Sequence, residues 1–206
     1  MQSSIKIVEK TRRKYLEYEQ REKEILACSI RLFNEKGYKD ATTAAIARES
    51  GISEPILYKH FENKKELFLC CFHAIADELM ARYKAIFKNC RDDELGYIKG
   101  VVRAYVDFVV KNPDKSMFLV HLMSYKSDPD FADTFTQFME DSIGAIERVL
   151  NRAKAKGKIK ESADTRFLAA MFVSQYFTVV AMQDFIEPGC FTGDTHFDIM
   201  ESLMGS

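Results

Sequence analysis

The fold of this 206-residue chain is decided by residues 51–61, Gly51-Ile52-Ser53-Glu54-Pro55-Ile56-Leu57-Tyr58-Lys59-His60-Phe61. A glycine turn and a capping serine separate two short predicted helices, Ala44–Ser50 and Glu54–His60. The proline lies in the first turn of the second helix, where it is tolerated. Five apolar residues have the spacing needed to pack this pair onto a preceding helix: Ile46, Ala47, Ile52, Leu57 and Phe61. The pattern predicts a helix-turn-helix, whose second helix fits the major groove of DNA.

Helical signals continue on both sides of this segment. A preceding helix runs from Arg21 to a stop at Gly37, and Asn63-Lys64-Lys65-Glu66 is typical of a capping box that opens a helix ending near Asn89. Further helices are predicted at Asp92–Lys111, Asp114–Tyr125, Pro129–Lys156 and Asp164–Ile186, with a short tail helix after Asp194. We expect an all-α fold in which a three-helix unit is joined by one continuous helix to a larger bundle. The expected domains are a helical extension at 1–20, a DNA-binding domain at 21–68 and a second domain at 69–206.

Composition narrows the class of protein. The chain is 47% hydrophobic and 30% charged, which excludes disorder. No apolar run approaches the roughly 18 residues of a membrane-spanning helix, and Met1 to Arg13 is polar and basic, unlike a secretory signal. We therefore expect a cytoplasmic protein with no membrane partner.

The cysteine pattern indicates reduced thiols. The chain has five cysteines and no C-x-x-C spacing, which is typical of a reducing compartment. Cys70-Cys71 leaves open a redox or soft-metal sensor, although no third thiol or histidine lies at ligand spacing. We expect no metal site and no cofactor.

The segment also resembles a known family. The matching residues are Gly37-Tyr38, Thr42-Thr43, Ile46-Ala47, Gly51-Ile52-Ser53, Leu57-Tyr58-Lys59-His60-Phe61, Lys64 and Leu67-Phe68. About fifty consecutive residues carry a resemblance to the TetR family of one-component transcriptional regulators, whereas the remaining two-thirds matches only in helix count and layout. The resemblance implies an N-terminal DNA-binding unit and a larger domain that binds a small molecule and dimerises.

Roles carried over from the resemblance give a set of DNA-binding residues: Thr42, Thr43, Ser53, Glu54, Pro55, Ile56, Tyr58, Lys59, His60 and Lys64. The two threonines, the Tyr58–His60 pair and Lys64 are expected at phosphates, and residues 53–56 begin the recognition helix. Glu54-Pro55 departs from the family pattern, since an acidic side chain weakens phosphate attraction but accepts from a cytosine amino group. Which of the two it does stays open.

Two of these assignments have a structural alternative. Tyr58 and His60 could instead pack across the helices. The run Arg12-Arg13-Lys14 could form an arm in the minor groove or simply a solvated helix face.

The second domain is rich in Phe, Tyr and Met, which is typical of ordinary core and also of an adaptable apolar pocket. We expect an apolar or amphipathic ligand at Tyr105, Phe108, His121, Met123, Tyr125, Phe172, Gln175 and Tyr176. The helices Pro129–Lys156 and Asp164–Ile186 have more apolar surface than one copy needs, which predicts a homodimeric four-helix bundle. Its interface residues would be Phe138, Ser142, Ile146, Val149, Leu168, Phe172, Gln175 and Val179.

These patterns favour a repressor that a ligand releases from a palindromic operator by moving the helix Lys64–Asn89. An activator with the same DNA-binding unit and a helical interaction module remain alternatives. An enzyme lacks support, because the chain has no H-E-x-x-H, Glu-x-x-His or Gly-rich phosphate motif. The charge is divided in a way that suits a DNA-binding head: residues 1–66 hold 14 Lys and Arg and 11 Asp and Glu, and residues 67–206 hold 16 and 20.

Overall fold

The computed structural model describes residues 2–90, 92–193, 196–199 and 202, with side chains described from Leu16 onward. Eight α-helices lie in the described part of the chain: α1 (Gln2–Asp40), α2 (Thr43–Glu49), α3 (Glu54–His60), α4 (Lys64–Asn89), α5 (Glu94–Lys111), α6 (Pro113–Leu122), α7 (Ala132–Ala155) and α8 (Thr165–Met182). Short 3-10 turns cover Met123–Tyr125 and Pro188–Phe191, and these described residues contain no strand. The all-α prediction is confirmed. The chain divides into two compact units, Met1–Ala74 and Ile75–Ser206, and the division falls within α4.

Helix α1 begins far upstream of the predicted start at Arg21. It runs from Gln2 and is interrupted only at Gly37, where φ is 74° and ψ is 165°. An L side chain rarely adopts that φ, so the glycine ends the regular helix as its position predicts. The extension at 1–20 is thus the first part of α1. The side chains of Arg12, Arg13 and Lys14, the proposed minor-groove arm, lie outside the described residues.

The core of the first unit is formed by the predicted apolar residues. Ile46, Ala47, Leu57 and Phe61 are all at most 3% exposed. Helix α1 supplies Ile25 and Phe33, and α4 supplies Leu67 and Phe68. The rings of Phe33 and Phe68 meet edge to face at 5.0 Å, a favourable aromatic geometry.

Several helix ends in the second unit differ from the prediction by a few residues. Helix α7 begins at Ala132, because the Asp128 carboxylate accepts from the Asp130 N–H and stabilises a turn at Pro129 instead of a helix start. Helix α8 ends at Met182, before the predicted Ile186. After α6, residues 123–125 form a 3-10 turn. Residues 196–199 of the predicted tail helix are helical, and Asp194 lies outside the described residues.

Helix α8 is long and apolar enough to cross a membrane by length and composition alone, and it is the single such helix among the described residues. The core helix of a soluble protein passes the same test. Here α8 packs mainly against α7, with Leu168, Phe172 and Val179 buried.

A buried carboxylate joins the start of α5 to the end of α7. The side chain of Glu94 is 1% exposed and accepts hydrogen bonds from Lys156 Nζ at 2.6 Å and Lys158 Nζ at 2.9 Å. These two hydrogen bonds lower the pKa of Glu94 from 4.5 to about 2. The charged form of Glu94 therefore stabilises the folded chain.

We predict that Glu94→Gln lowers the free energy of unfolding by about 2 kcal/mol at neutral pH, because two charge-assisted hydrogen bonds are lost. The native pKa lies below the unfolded one, so this stabilisation is present above pH 4.5 and is lost as the pH falls towards 2. Urea unfolding across that range should show the decrease in the wild type and a flatter profile in the variant. Glu140→Gln, at an ion pair whose carboxylate is 55% exposed, is the control and should change little.

Candidate nucleic-acid interface and ligand cavity

The turn between α2 and α3 is set by the backbone. Gly51 has φ of 67°, and a Cβ there would meet no atom within 4 Å, so the glycine is needed for its backbone conformation and not for space. The N–H of Ile52 then donates to the carbonyl of Ala47 at 3.0 Å. With Leu57 1% exposed beneath, the turn leaves the opposite face of α3 to solvent.

The exposed face of α3 and its N-cap position contain five of the ten predicted DNA-binding residues. Ser53, Pro55, Ile56, Tyr58 and Lys59 are all exposed, and Tyr58 is 47% exposed despite its size. Ser53 occupies the N-cap position, but its side chain makes no capping hydrogen bond. The Ser53 hydroxyl therefore makes no capping hydrogen bond to α3. A contact with DNA would not have to break one.

A hydrogen-bond network links α2 to α3. The hydroxyl of Thr43 donates to Glu54 Oε1 at 2.5 Å and lies 3.2 Å from the Tyr58 hydroxyl. Thr42 caps α2, its side chain accepting from the N–H of Ala45 at 3.2 Å. Glu54 thus has a partner within the protein, which holds the start of α3 against the start of α2. The threonines lie next to the exposed face of α3, and both already make hydrogen bonds.

His60 differs from the phosphate contact that the resemblance implies. Its ring stacks on Tyr18 of α1 with centroids 4.1 Å apart, and the Tyr18 hydroxyl donates to the Lys59 carbonyl at 3.2 Å. Burial lowers the pKa of His60, which favours the neutral imidazole. In the free protein His60 therefore packs across the helices, as one of the two alternatives describes, whereas Tyr58 is exposed; a phosphate contact of either residue stays a prediction. Tyr18, which sequence reasoning missed, fixes the end of the recognition helix.

Lys64 is also engaged within the protein. Its ammonium group donates to the carbonyl oxygens of Tyr38, Lys39 and Ala41 at 2.8, 3.1 and 3.1 Å and lies 4.6 Å from the Tyr38 ring centroid. A lysine has three N–H donors, so all of them have partners in the free protein. In the free protein Lys64 joins α4 to the end of α1, and its expected phosphate contact stays a prediction. One half of the predicted capping box is present, since the Asn63 side chain accepts from the Glu66 N–H at 2.9 Å, whereas the Glu66 carboxylate accepts from the Glu62 N–H.

Comparison with known proteins agrees with this geometry. Residues 25–71 match the model of the bacterial regulatory proteins of the tetR family. The helix-turn-helix segment of the chain is therefore similar to the DNA-binding unit of that family. It is 28% identical over 156 residues to the nucleoid occlusion factor SlmA of Vibrio cholerae, covering 75% of this chain and 79% of SlmA. It is 25% identical to the transcriptional activator FasR of Mycolicibacterium smegmatis, covering 65% of this chain and 60% of FasR.

Solved structures agree on the fold. FadR of Bacillus subtilis, solved in complex with stearoyl-CoA, superposes with a TM-score of 0.72 at 14% identity over 87% of this chain and 97% of FadR. At this identity the likeness shows a shared fold, and the match of residues 25–71 to the family model supports a TetR-type DNA-binding transcription regulator.

The cysteines give no support to a sensor at Cys70-Cys71. Burial is the main cause that raises the pKa of both thiols, which keeps them protonated and unreactive. The part of the chain that the structure describes holds no group of three or more metal-ligating side chains.

A cavity of about 370 Å³ lies within the second unit. Helix α4 contributes Met80, Tyr83, Lys84, Phe87 and Lys88 to its wall, and the rest comes from Tyr97 and Val101 of α5, Ser142, Ala145 and Ile146 of α7, and Tyr176 of α8. A narrow extension of about 20 Å³ is lined by further residues, among them Leu119, Phe138 and Phe177. We call the two together the C-terminal cavity.

The predicted ligand residues reach this cavity only in part. Tyr176 lines the main cavity, and Tyr105 and Tyr176 line the extension, where the Tyr105 hydroxyl donates to the Tyr176 carbonyl at 3.0 Å. The others do not line the C-terminal cavity: Phe108, His121, Met123, Tyr125, Phe172 and Gln175. Phe108 and Phe172 are core residues, 0% and 4% exposed. The sequence did not predict the α4 residues as part of a cavity, because their periodicity indicates only that one face of the helix is buried.

The predicted dimer residues are mostly buried within one copy. Five of them are at most 7% exposed, which leaves them no surface for a second chain: Ile146, Val149, Leu168, Phe172 and Val179. Phe138 and Ser142 line the C-terminal cavity, and Gln175 is half-buried. The apolar side chains that α8 and the following turn leave open are instead Phe167, Met182, Phe185 and Ile186, exposed by 62%, 39%, 82% and 42%.

We predict different effects for two lysines near the recognition helix. Lys59→Met should reduce the slope of log affinity against log salt by about 1, because an exposed phosphate contact is lost. Lys64→Met should lower the melting temperature and weaken DNA binding while leaving that slope unchanged, because it breaks bonds to the protein's own carbonyls.

Lys36→Met, which removes an exposed lysine of the same unit, is the matched control for lost charge. A Lys64→Met protein of wild-type melting temperature and reduced salt slope would show that Lys64 contacts phosphate instead.

Proposed function

We propose that this protein is a homodimeric repressor of the TetR family that binds a palindromic operator through α3 and leaves it when a small molecule enters the C-terminal cavity. The observation that carries the proposal is the exposed face of α3, where Tyr58, Ile56 and Lys59 are open to solvent above the buried Leu57. Polar, aromatic and cationic groups on one short helix suit base edges and phosphates together. Such a regulator works in the cytoplasm, where the DNA is.

The dimer surface that we propose runs along α8. Residues 167, 174, 178, 181 and 185 are exposed and are spaced seven, four, three and four positions apart, so they form one stripe along the helix and the turn that follows. Phe167 and Phe185 are the most exposed of the large apolar side chains. Pairing two such stripes around a two-fold axis buries both, and two recognition helices then read a palindrome.

Release by a ligand is supported by the position of the C-terminal cavity on α4. Five residues of that helix form one wall, and the same helix begins at Lys64 in the DNA-binding unit. A ligand that binds better to one arrangement of α4 than to another shifts the balance between DNA-bound and free protein. The solved complex of FadR with stearoyl-CoA shows that another protein of this fold holds a ligand.

An activator is the second candidate, because the relative FasR is a transcriptional activator. Both candidates use the same DNA contacts and differ in what binding does to transcription. A reporter gene placed behind the selected operator distinguishes them. Expression falls in the presence of a repressor and rises with an activator.

The proposed DNA contact predicts a salt-sensitive preference for a palindrome in a selection from random duplexes. Tyr58→Ala should reduce the affinity for the selected duplex about tenfold, because a polar contact from an exposed side chain is lost. The melting temperature should change little, because Thr43 keeps its hydrogen bond to Glu54. Leu16→Ala, at an exposed apolar residue of α1, is the control. A wild-type dimer without preference for any palindrome would refute the proposal.

The proposed dimer predicts that Phe167→Asp produces monomers. An acidic residue in the first turn of α8 does not weaken the helix, so the effect comes from a charge placed in the apolar stripe. Sedimentation or light scattering at micromolar concentration measures the change. Val110→Asp, at a 56% exposed residue of α5, should stay dimeric, and a dimeric Phe167→Asp protein would place the interface elsewhere.

A further inference from the structure

The mouth of the C-terminal cavity is cationic. Lys84 and Lys88 both line it and lie four residues apart on α4, so they share one helix face. Both are exposed, and neither has an ion pair within 4 Å among the described residues. Arg152 adds a third cation, with its guanidinium 5.7 Å from the Phe87 ring centroid. No carboxylate is among the residues that line the cavity.

The interior of the cavity is apolar with a few polar atoms. Met80, Val101 and Ile146 line it, and the narrow extension continues between Leu119 and Phe177. Burial and the neighbouring Tyr176 side chain raise the pKa of the Tyr83 hydroxyl. Both tyrosines line the cavity, so a pair of hydroxyl groups lies among its apolar side chains.

We propose that the C-terminal cavity binds an amphipathic anion, with its negative head group at Lys84 and Lys88 and a narrow apolar body in the interior. This inference rests on the proposed function, since it names the chemical class of the releasing ligand. A main volume of about 370 Å³ is at the lower end of the range of about 300–1,000 Å³ for ligand pockets, which suits a slender molecule.

A cationic ligand is the main competitor, because aromatic rings around a cavity can hold a cation by its charge. The candidate rings are Tyr83, Phe87, Tyr97 and Tyr176. The guanidinium of Arg152 already lies over Phe87, and two unpaired lysines at the mouth repel a positive charge. The charge distribution therefore favours an anion.

The test uses four probes with the same ten-carbon chain: decanoate, decyl phosphate, decanol and decyltrimethylammonium. Calorimetric titration of the full-length dimer at low salt should give an affinity for the two anions about tenfold above that for decanol, the sum expected of two partly exposed ion pairs. The difference should shrink as ionic strength rises. Decanoate and decyl phosphate distinguish a carboxylate from a phosphate head group.

Three variants distinguish the effect of the lysine charges from the effect of the cavity volume. Lys84→Met with Lys88→Met should bring the affinity for both anions down to that for decanol. Ala145→Leu, which narrows the cavity, should weaken the binding of decanol and of decanoate equally. Lys160→Met, which removes an exposed lysine elsewhere in the unit, should change neither, and melting temperatures establish that each variant is folded.

The outcomes also separate this inference from the proposed function. Equal affinity for all four probes, preference for the cation, or no binding by any of them in a dimer that still binds its palindrome overturns the anion assignment alone. A protein that binds no palindrome overturns the proposed function, whichever probe it binds. Decanoate that binds through Lys84 and Lys88 and lowers affinity for the palindrome supports both.

Discussion

The ammonium group of Lys64 holds the DNA-binding unit together at the point where three helices meet. The end of α1 leaves carbonyl oxygens without intrahelical partners, and Lys64 supplies three donors to them, at Tyr38, Lys39 and Ala41. A cation at the C-terminal end of a helix is also favoured by the helix dipole. Because α2 begins two residues after Ala41, this one side chain ties the first turn of α4 to the origin of the helix-turn-helix. Helices of seven residues such as α2 and α3 are not stable alone, so they depend on that attachment and on the core beneath them.

The helix-turn-helix was predictable because its requirements are local. Gly51 must adopt a positive φ, and Leu57 and Phe61 must lie at helical spacing. Both requirements can be read from the eleven residues 51–61. The partners of His60 and Lys64 are different, since Tyr18 and Tyr38 lie 42 and 26 residues earlier in the chain. The sequence alone does not tell whether the hydrogen-bond donors of a side chain contact a phosphate of DNA or the carbonyl group of a distant residue. The family resemblance placed both residues correctly on the helices and gave no view of what each contacts in the free protein.

The second unit was less predictable for a related reason. Helix α8 is apolar on most faces, so its periodicity does not tell which stripe faces its own core and which is left open. The predicted dimer residues Leu168, Phe172 and Val179 proved to be core, and the exposed stripe begins one residue earlier, at Phe167. The hydrogen bonds of Glu94 with Lys156 and Lys158 were not predicted either, because these lysines lie more than 60 residues away in the sequence. A cavity is a space left between elements, and neither its volume nor its lining has a local signal.

One helix connects these features. Helix α4 carries Lys64 at its first residue and Tyr83, Lys84 and Lys88 near its other end, and among the helices of the described residues it alone has residues in both units. A coupling free energy of about 1–3 kcal/mol is typical of regulation between two sites, and it can pass through α4 without a large rearrangement of either core. A ligand that draws Lys84 and Lys88 towards its head group acts on α4 itself. The three carbonyl bonds of Lys64 make the opposite end respond as part of the DNA-binding unit, because a shift of its first turn also moves the junction from which α2 and α3 start.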